Sequence, residues 1–142
     1  MNEIDLINHM RQNLEMGIDG IQKVIPYAQS EGFKEALNRQ LTEYRKLYNE
    51  SDNLLHKHQG EPKDIPVMAK LSTEVMSTMK AMAYKEDSKI AEDMVRGTST
   101  GIAKLMRQQG DYCGDDKEVN DLCNRIIQTE ERDCEEMKQY LQ

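Results

Sequence analysis

Glu130 and Asp133 stand three residues apart in the run RIIQTEERDCEEM, residues 125–137. On a helix that spacing puts both side chains on one face, close enough to share a metal pair. Di-iron centres inside helical bundles draw a carboxylate from each of two helices and a Glu-x-x-His pair from each of the other two. Here Glu130 matches the carboxylate and Asp133 stands where the His would be. A second stretch, Glu43-Tyr44-Arg45-Lys46, has Lys46 in the His position, and its heptad phase puts Glu43 beside the apolar seam and Tyr44 within it. Elsewhere Val95 and Thr98 fill the seam around Arg96-Gly97, while Glu15 and Asp19 point toward solvent. Glu130, Asp133 and Glu43 are thus the weak candidates for a metal. Glu15 or Glu92 would join them only if their helices rotated. That is far short of the roughly six ligands a di-iron site uses, so the expectation is no cofactor, with iron as the alternative.

Glu130 can also be a structural carboxylate. The midpoints of the long segments put Tyr44, Thr98 and Glu130 at one level, where a phenol and a hydroxyl can donate to a buried carboxylate. The final segment carries Val119, Cys123, Ile126, Glu130, Met137 and Tyr140 on one stripe, and Ile127, Cys134 and Leu141 on a competing one that also passes through Glu130. Rotation toward the second stripe would bring Glu130 to the surface, and the pattern leaves both orientations open.

The remaining reactive side chains are sparse. His9 lies near the start of the first segment, and His56 and His58 at the end of the second. Those ends approach each other, so a surface zinc or nickel site is conceivable, although polar groups at helix ends are the more ordinary use. Cys113, Cys123 and Cys134 are spaced by ten and eleven, which fits no Cys-x-x-Cys pattern. Free thiols are expected, Cys123 and Cys134 buried and Cys113 in a loop. Gly97 and Gly101 are expected to make room for a bulky neighbour such as Tyr44 or Tyr48. No nucleophile has a base beside it and no Gly-rich loop could cradle a phosphate, so hydrolase and transferase chemistry has no starting residue.

The elements that must position these groups follow from composition and period. The chain has 142 residues with 37% hydrophobic content, enough for one core and one domain spanning 1–142. Aromatics are 5%, Gly 8 and Pro 3, against 10 Met, a composition that favours an all-α fold. A net charge of −7 argues against nucleic acid or an anionic membrane and leaves cationic ligands allowed. No apolar run is long enough to span a bilayer, and MNEIDLINHM is acidic where a secretory leader is basic. The expected location is cytoplasmic.

Breaks at 30–32, 60–66, 85–88 and 110–116 divide the chain into segments of about 3–30, 33–58, 66–83, 88–111 and 116–141. In the first, Ile7, Met10, Leu14, Gly17, Ile21, Val24 and Ala28 alternate by three and four, the seam of a bundle helix. Pro26 should kink or fray its end. The second repeats the pattern through Leu37, Leu41, Tyr44, Tyr48, Ser51 and Leu55. Four segments are of nearly equal length, and short loops make the first two and the last two antiparallel hairpins. Residues of about 59–87 form a long crossover carrying a short helix with Met68, Leu71, Val75, Met79 and Met82. Two hairpins joined by one such crossover is ferritin-like connectivity.

The run IPVMAKLSTEVMSTMKAMAYKEDSKIAEDMVRGTSTGIAKLMRQQ, with Arg96-Gly97 in mid-helix, together with Asp19-Gly20 in the first hairpin and Gly60-Glu61-Pro62 at its end, resembles the small bacterial ferritin-like proteins of unknown function, within the rubrerythrin and ferritin-like superfamily. The resemblance covers nearly the whole chain. It implies a ferritin-like four-helix bundle that has lost most of its di-iron ligands and acts as a binding or assembly module, through a protein partner or self-association. The alternatives are an iron-handling protein or oxidoreductase with an unusual carboxylate set, and a spore- or stress-associated structural protein.

Overall fold

The computed structural model describes residues 1–65 and 86–142. Among them are four α-helices, one 3-10 turn and no strand: α1 (Glu3–Val24), α2 (Glu31–Lys57), α3 (Asp87–Asp111) and α4 (Lys117–Lys138). The crossover helix expected over about 66–83 lies outside the described residues, as do its methionines.

Each helix start has a local cause. The Asn2 side chain accepts from the Asp5 N–H at 2.8 Å while the Asn2 N–H donates to the Asp5 carboxylate, so two orphan donors of α1 are satisfied reciprocally. Ser30 Oγ accepts from the Phe33 N–H to open α2, and Asp116 Oδ1 accepts from the Val119 N–H to open α4. At the start of α3 the carboxylate of Asp87 accepts from the backbone N–H groups of Gln29 and Ser30 at 2.7 and 3.0 Å. That contact pins α3 to the α1–α2 connection. Pro26 acts as its chemistry requires: α1 stops at Val24 and the chain tightens into a 3-10 turn over Ile25–Tyr27.

Ile7, Met10, Leu14 and Ile21 of α1 are fully buried against Phe33, Leu37 and Leu55 of α2 and Ile126 and Met137 of α4. Each such side chain contributes about 1.5 to 3 kcal/mol. α1 packs against α2 and α3, and α4 against α3 and α2. On the outer side of α2 and α4, Arg39 meets Glu136, Glu43 meets Arg132, Glu50 meets Arg125 and Lys57 meets Glu118. Exposed pairs of this kind are worth about 0.2 to 1 kcal/mol each, so they set register more than stability. α3 is the least embedded of the four helices, burying only Ile90, Ala91 and Leu105.

Residues 61–64 are fastened along α1. Arg11, 5% exposed, donates to Asp52 at 2.6 Å, Tyr48 Oη at 3.0 Å and Asp64 at 3.4 Å. Asn8 donates to the Glu61 carbonyl and accepts from the Lys63 N–H, and Gln12 donates to the Lys63 carbonyl. Among the described residues no helix is long and apolar enough to cross a membrane.

Candidate functional site

The seam of α4 turns Glu130 and Asp133 inward, and they are 4% and 2% exposed. Ile126 and Met137 on one expected stripe and Ile127 and Cys134 on the other are all buried, while Leu141, at the end of the second, is 42% exposed. Rotation of α4 therefore leaves Glu130 inside. The partners anticipated for it are nearby without satisfying it. Tyr44, Thr98 and Glu130 line one cavity, yet Glu130 Oε2 is buried with no hydrogen-bond partner among the described residues, as is Asp133 Oδ2.

That isolation shapes the electrostatics. Burial pushes the Glu130 carboxyl up to about 8; the Asn13 amide pulls it down and the Asp133 carboxylate adds to the rise. Burial and then Glu43 push Asp133 up to about 7, against the pull of Arg132, whose Nε lies 3.7 Å from Asp133 Oδ1. The Tyr44 phenol is raised well above its ordinary value by burial and by both carboxyls. Near pH 7 Glu130 thus holds its proton and Asp133 is poised between its two forms.

Glu43, the third candidate ligand, turns outward into ion pairs with Arg39 and Arg132. The histidines are divided. His9 Nδ1 meets Gln108 Nε2 at 3.0 Å, His56 Nδ1 lies 2.9 Å from the Asp52 carbonyl, and His58 Nε2 lies 3.4 Å from Asp116. Burial lowers the pKa of His9, with Asp5 opposing. Among the described residues no group of three or more His, Cys, Asp or Glu side chains could hold a metal ion. Cys123 and Cys134 are buried free thiols and Cys113 an exposed one; burial raises the Cys123 thiol to about 12.

The cavity that Glu130 floors has a volume of about 550 Å³ and runs between α1 and α3, within the size range of small-molecule sites. Glycines form much of its walls, Gly17 and Gly20 from α1 and Gly97 and Gly101 from α3. Met16, Val24 and Met94 make its other walls apolar, and His9, Lys104 and Gln108 stand at one end. The glycines divide the labour differently from the expected packing. A Cβ at Gly17 would meet the Tyr44 ring at 3.1 Å, whereas one at Gly97 would meet nothing within 4 Å among the described residues. It is Gly17 that makes room for Tyr44, and Gly97 borders open space.

No protein-family model, no curated protein and no solved structure matches this chain. The residues themselves therefore carry the functional argument. Asn13 is the member of the site that sequence patterning missed. Its Nδ2 donates to the Gly101 carbonyl at 3.2 Å, while its Oδ1 is buried without a partner among the described residues. The available signal was phase: Asn13 lies three residues after Met10 and four before Gly17, on the edge of the α1 seam.

Proposed function

We propose that this chain is a non-catalytic ferritin-like bundle that works as a binding module, with the cleft between α1 and α3 as its binding place. The observation that carries the proposal is the cleft itself: an apolar cavity of about 550 Å³ floored by a carboxylate 4% exposed, one of whose oxygens has no partner among the described residues. Support for two antiparallel hairpins comes from the order of the contacts, since 99 and 109 on α3 meet 134 and 124 on α4. Arg11 with Asp52 and Gly17 beside Tyr44 run in the same reversed sense between α1 and α2.

The residues present do not fit an iron pair. Among the described residues two carboxyls, both shifted toward their protonated forms, face the bundle interior where about six charged or imidazole ligands are needed. Metal analysis of protein purified without chelators or affinity tags tests the reading. Iron well below one ion per chain is expected. A stoichiometric iron pair would overturn it in favour of an iron-handling protein.

A further inference from the structure

Two acceptors in this cleft lack donors among the described residues. Glu130 Oε2 has none and Asn13 Oδ1 has none, and the two side chains are neighbours, since the Asn13 amide acts on the Glu130 carboxyl. The Asn13 amide is not reversible as a way out, because its Nδ2 is committed to the Gly101 carbonyl at 3.2 Å, and a flip would set oxygen against oxygen. While Glu130 holds its proton that O–H can serve one of the two, but once the carboxyl ionises both are acceptors, and a single group with several N–H donors serves the pair together. A primary ammonium has three. Around that polar spot the walls are glycine backbone and the apolar side chains of Met16, Val24 and Met94.

We propose that the α1–α3 cleft binds a primary organic amine, its ammonium head on Glu130 and Asn13 and its apolar tail along the glycine-lined walls. The assignment rests on the binding-module reading and gives it a ligand class. The chain's net charge of −7 favours a cation in the approach as well as in the site. A carboxylate ligand brings no N–H donor for Glu130 and Asn13, and the chain's net charge of −7 opposes its approach. A neutral alcohol would bring one donor and no charge-assisted bond.

The groups that face Glu130 set the pH behaviour. α1 contributes Asn13 and, further along the cleft, His9; α2 contributes Tyr44; α3 contributes Asp93 and Lys104; and α4 itself carries Asp133 and Cys123. In the empty cleft Glu130 is protonated at neutral pH. An arriving ammonium replaces that proton, which leaves to solvent, so binding strengthens as pH rises toward 8 and then levels. Alkylamines remain charged throughout, as lysine does below about 10.

Titration of the full chain with hexylamine, propylamine, hexanol and hexanoate, followed by amide chemical shifts, tests the proposal. Hexylamine should bind best, each methylene tightening it by up to roughly fourfold over propylamine, and its Kd should weaken by up to about tenfold per pH unit below 8. Glu130→Gln should weaken it by about tenfold or more. Gly97→Leu, which fills the cleft from a position with open space around its Cβ, should abolish it. Circular dichroism checks that both variants are folded, and if one is not, the other variant and the pH profile decide. Hexanol or hexanoate binding as tightly as hexylamine would overturn the amine assignment while leaving a binding cleft in place. Absence of hexylamine binding, or binding indifferent to Glu130→Gln, would also overturn it. A stoichiometric iron pair in the purified chain would instead remove the binding-module reading beneath it.

Discussion

At the scale of single residues, Glu130 is a buried acid that burial keeps protonated, with no donor on one oxygen. Its cost to the fold appears only when it ionises. Glu130→Gln should change stability by about 1 kcal/mol or less at pH 4, where the carboxyl is largely neutral in both the folded and the unfolded chain and the amide is its near-isostere. At pH 9 the same variant should be more stable than the parent by about 2 to 4 kcal/mol, because it has no charge to bury. Glu130→Leu should follow the same trend, since Oε2 has no described donor to strand. Urea unfolding at the two pH values reads both. Destabilisation of Glu130→Gln at pH 9 would mean that the carboxylate is held by a donor after all.

Among the elements, α1 is the one that every neighbour uses: Gly17 accepts the ring of Tyr44, Asn13 reaches Gly101 on α3, and Arg11 and Asn8 hold residues 61–64. Two glycine substitutions should therefore differ in sign. Gly17→Ala gains up to about 1 kcal/mol of helix propensity but sets a methyl 3.1 Å from a ring buried to 3% exposure. Overpacking of that kind costs about 1 to 3 kcal/mol, so a net loss is expected. Gly97→Ala meets nothing within 4 Å among the described residues and should stabilise by about 0.5 to 1 kcal/mol. Thermal melts of the two variants decide; a stabilising Gly17→Ala would show that Tyr44 has room to move. Arg11→Ala should cost about 2 to 4 kcal/mol, because it leaves Asp52 and the buried end of Tyr48 without their cation and removes a packed stem. Denaturant midpoints measure that loss, and a loss under about 0.5 kcal/mol would reduce the cluster to surface decoration.

At the scale of the whole molecule, the two inward carboxyls carry the largest carboxyl shifts among the described residues. The folded-state values, about 8 for Glu130 and about 7 for Asp133, lie above the unfolded ones of about 4.3 and 3.9. Between those limits the folded chain binds more protons than the unfolded chain, so stability falls as pH rises and levels off above the folded values. Asp87 works in the opposite sense. Burial opposes its ionisation, yet the N–H groups of Gln29 and Ser30 prevail and hold it below its ordinary value, so its contribution disappears as pH falls through that lowered value. These three groups therefore place the maximum of stability near pH 4, with a decline of roughly 4 to 9 kcal/mol toward pH 8.5. A urea series across pH measures the curve. The double variant Glu130→Gln with Asp133→Asn should flatten its alkaline side, and a maximum above pH 8 would contradict the assignment.

What the sequence determined by itself was everything that repeats along one helix. The three-four alternation of Ile7, Met10, Leu14 and Ile21, the stop at Pro26 and the inward phase of Tyr44 are set by local periodicity and local backbone chemistry. The burial of Cys123 and Cys134 follows from helical phase, and the exposure of Cys113 from its place in the connection before α4. Period alone left α4 two orientations, and it paired Gly97 and Gly101 with the wrong neighbour. Tertiary packing decided both, because which residue faces a given glycine depends on the relative height and rotation of two helices distant in sequence. The same packing brought Asn13 beside Glu130 and set Gly97 on open space. Hydrogen-bond satisfaction was the least legible property of all: it turns on distances of a few tenths of an ångström between side chains more than a hundred residues apart, and no pattern of residue types along a chain contains them.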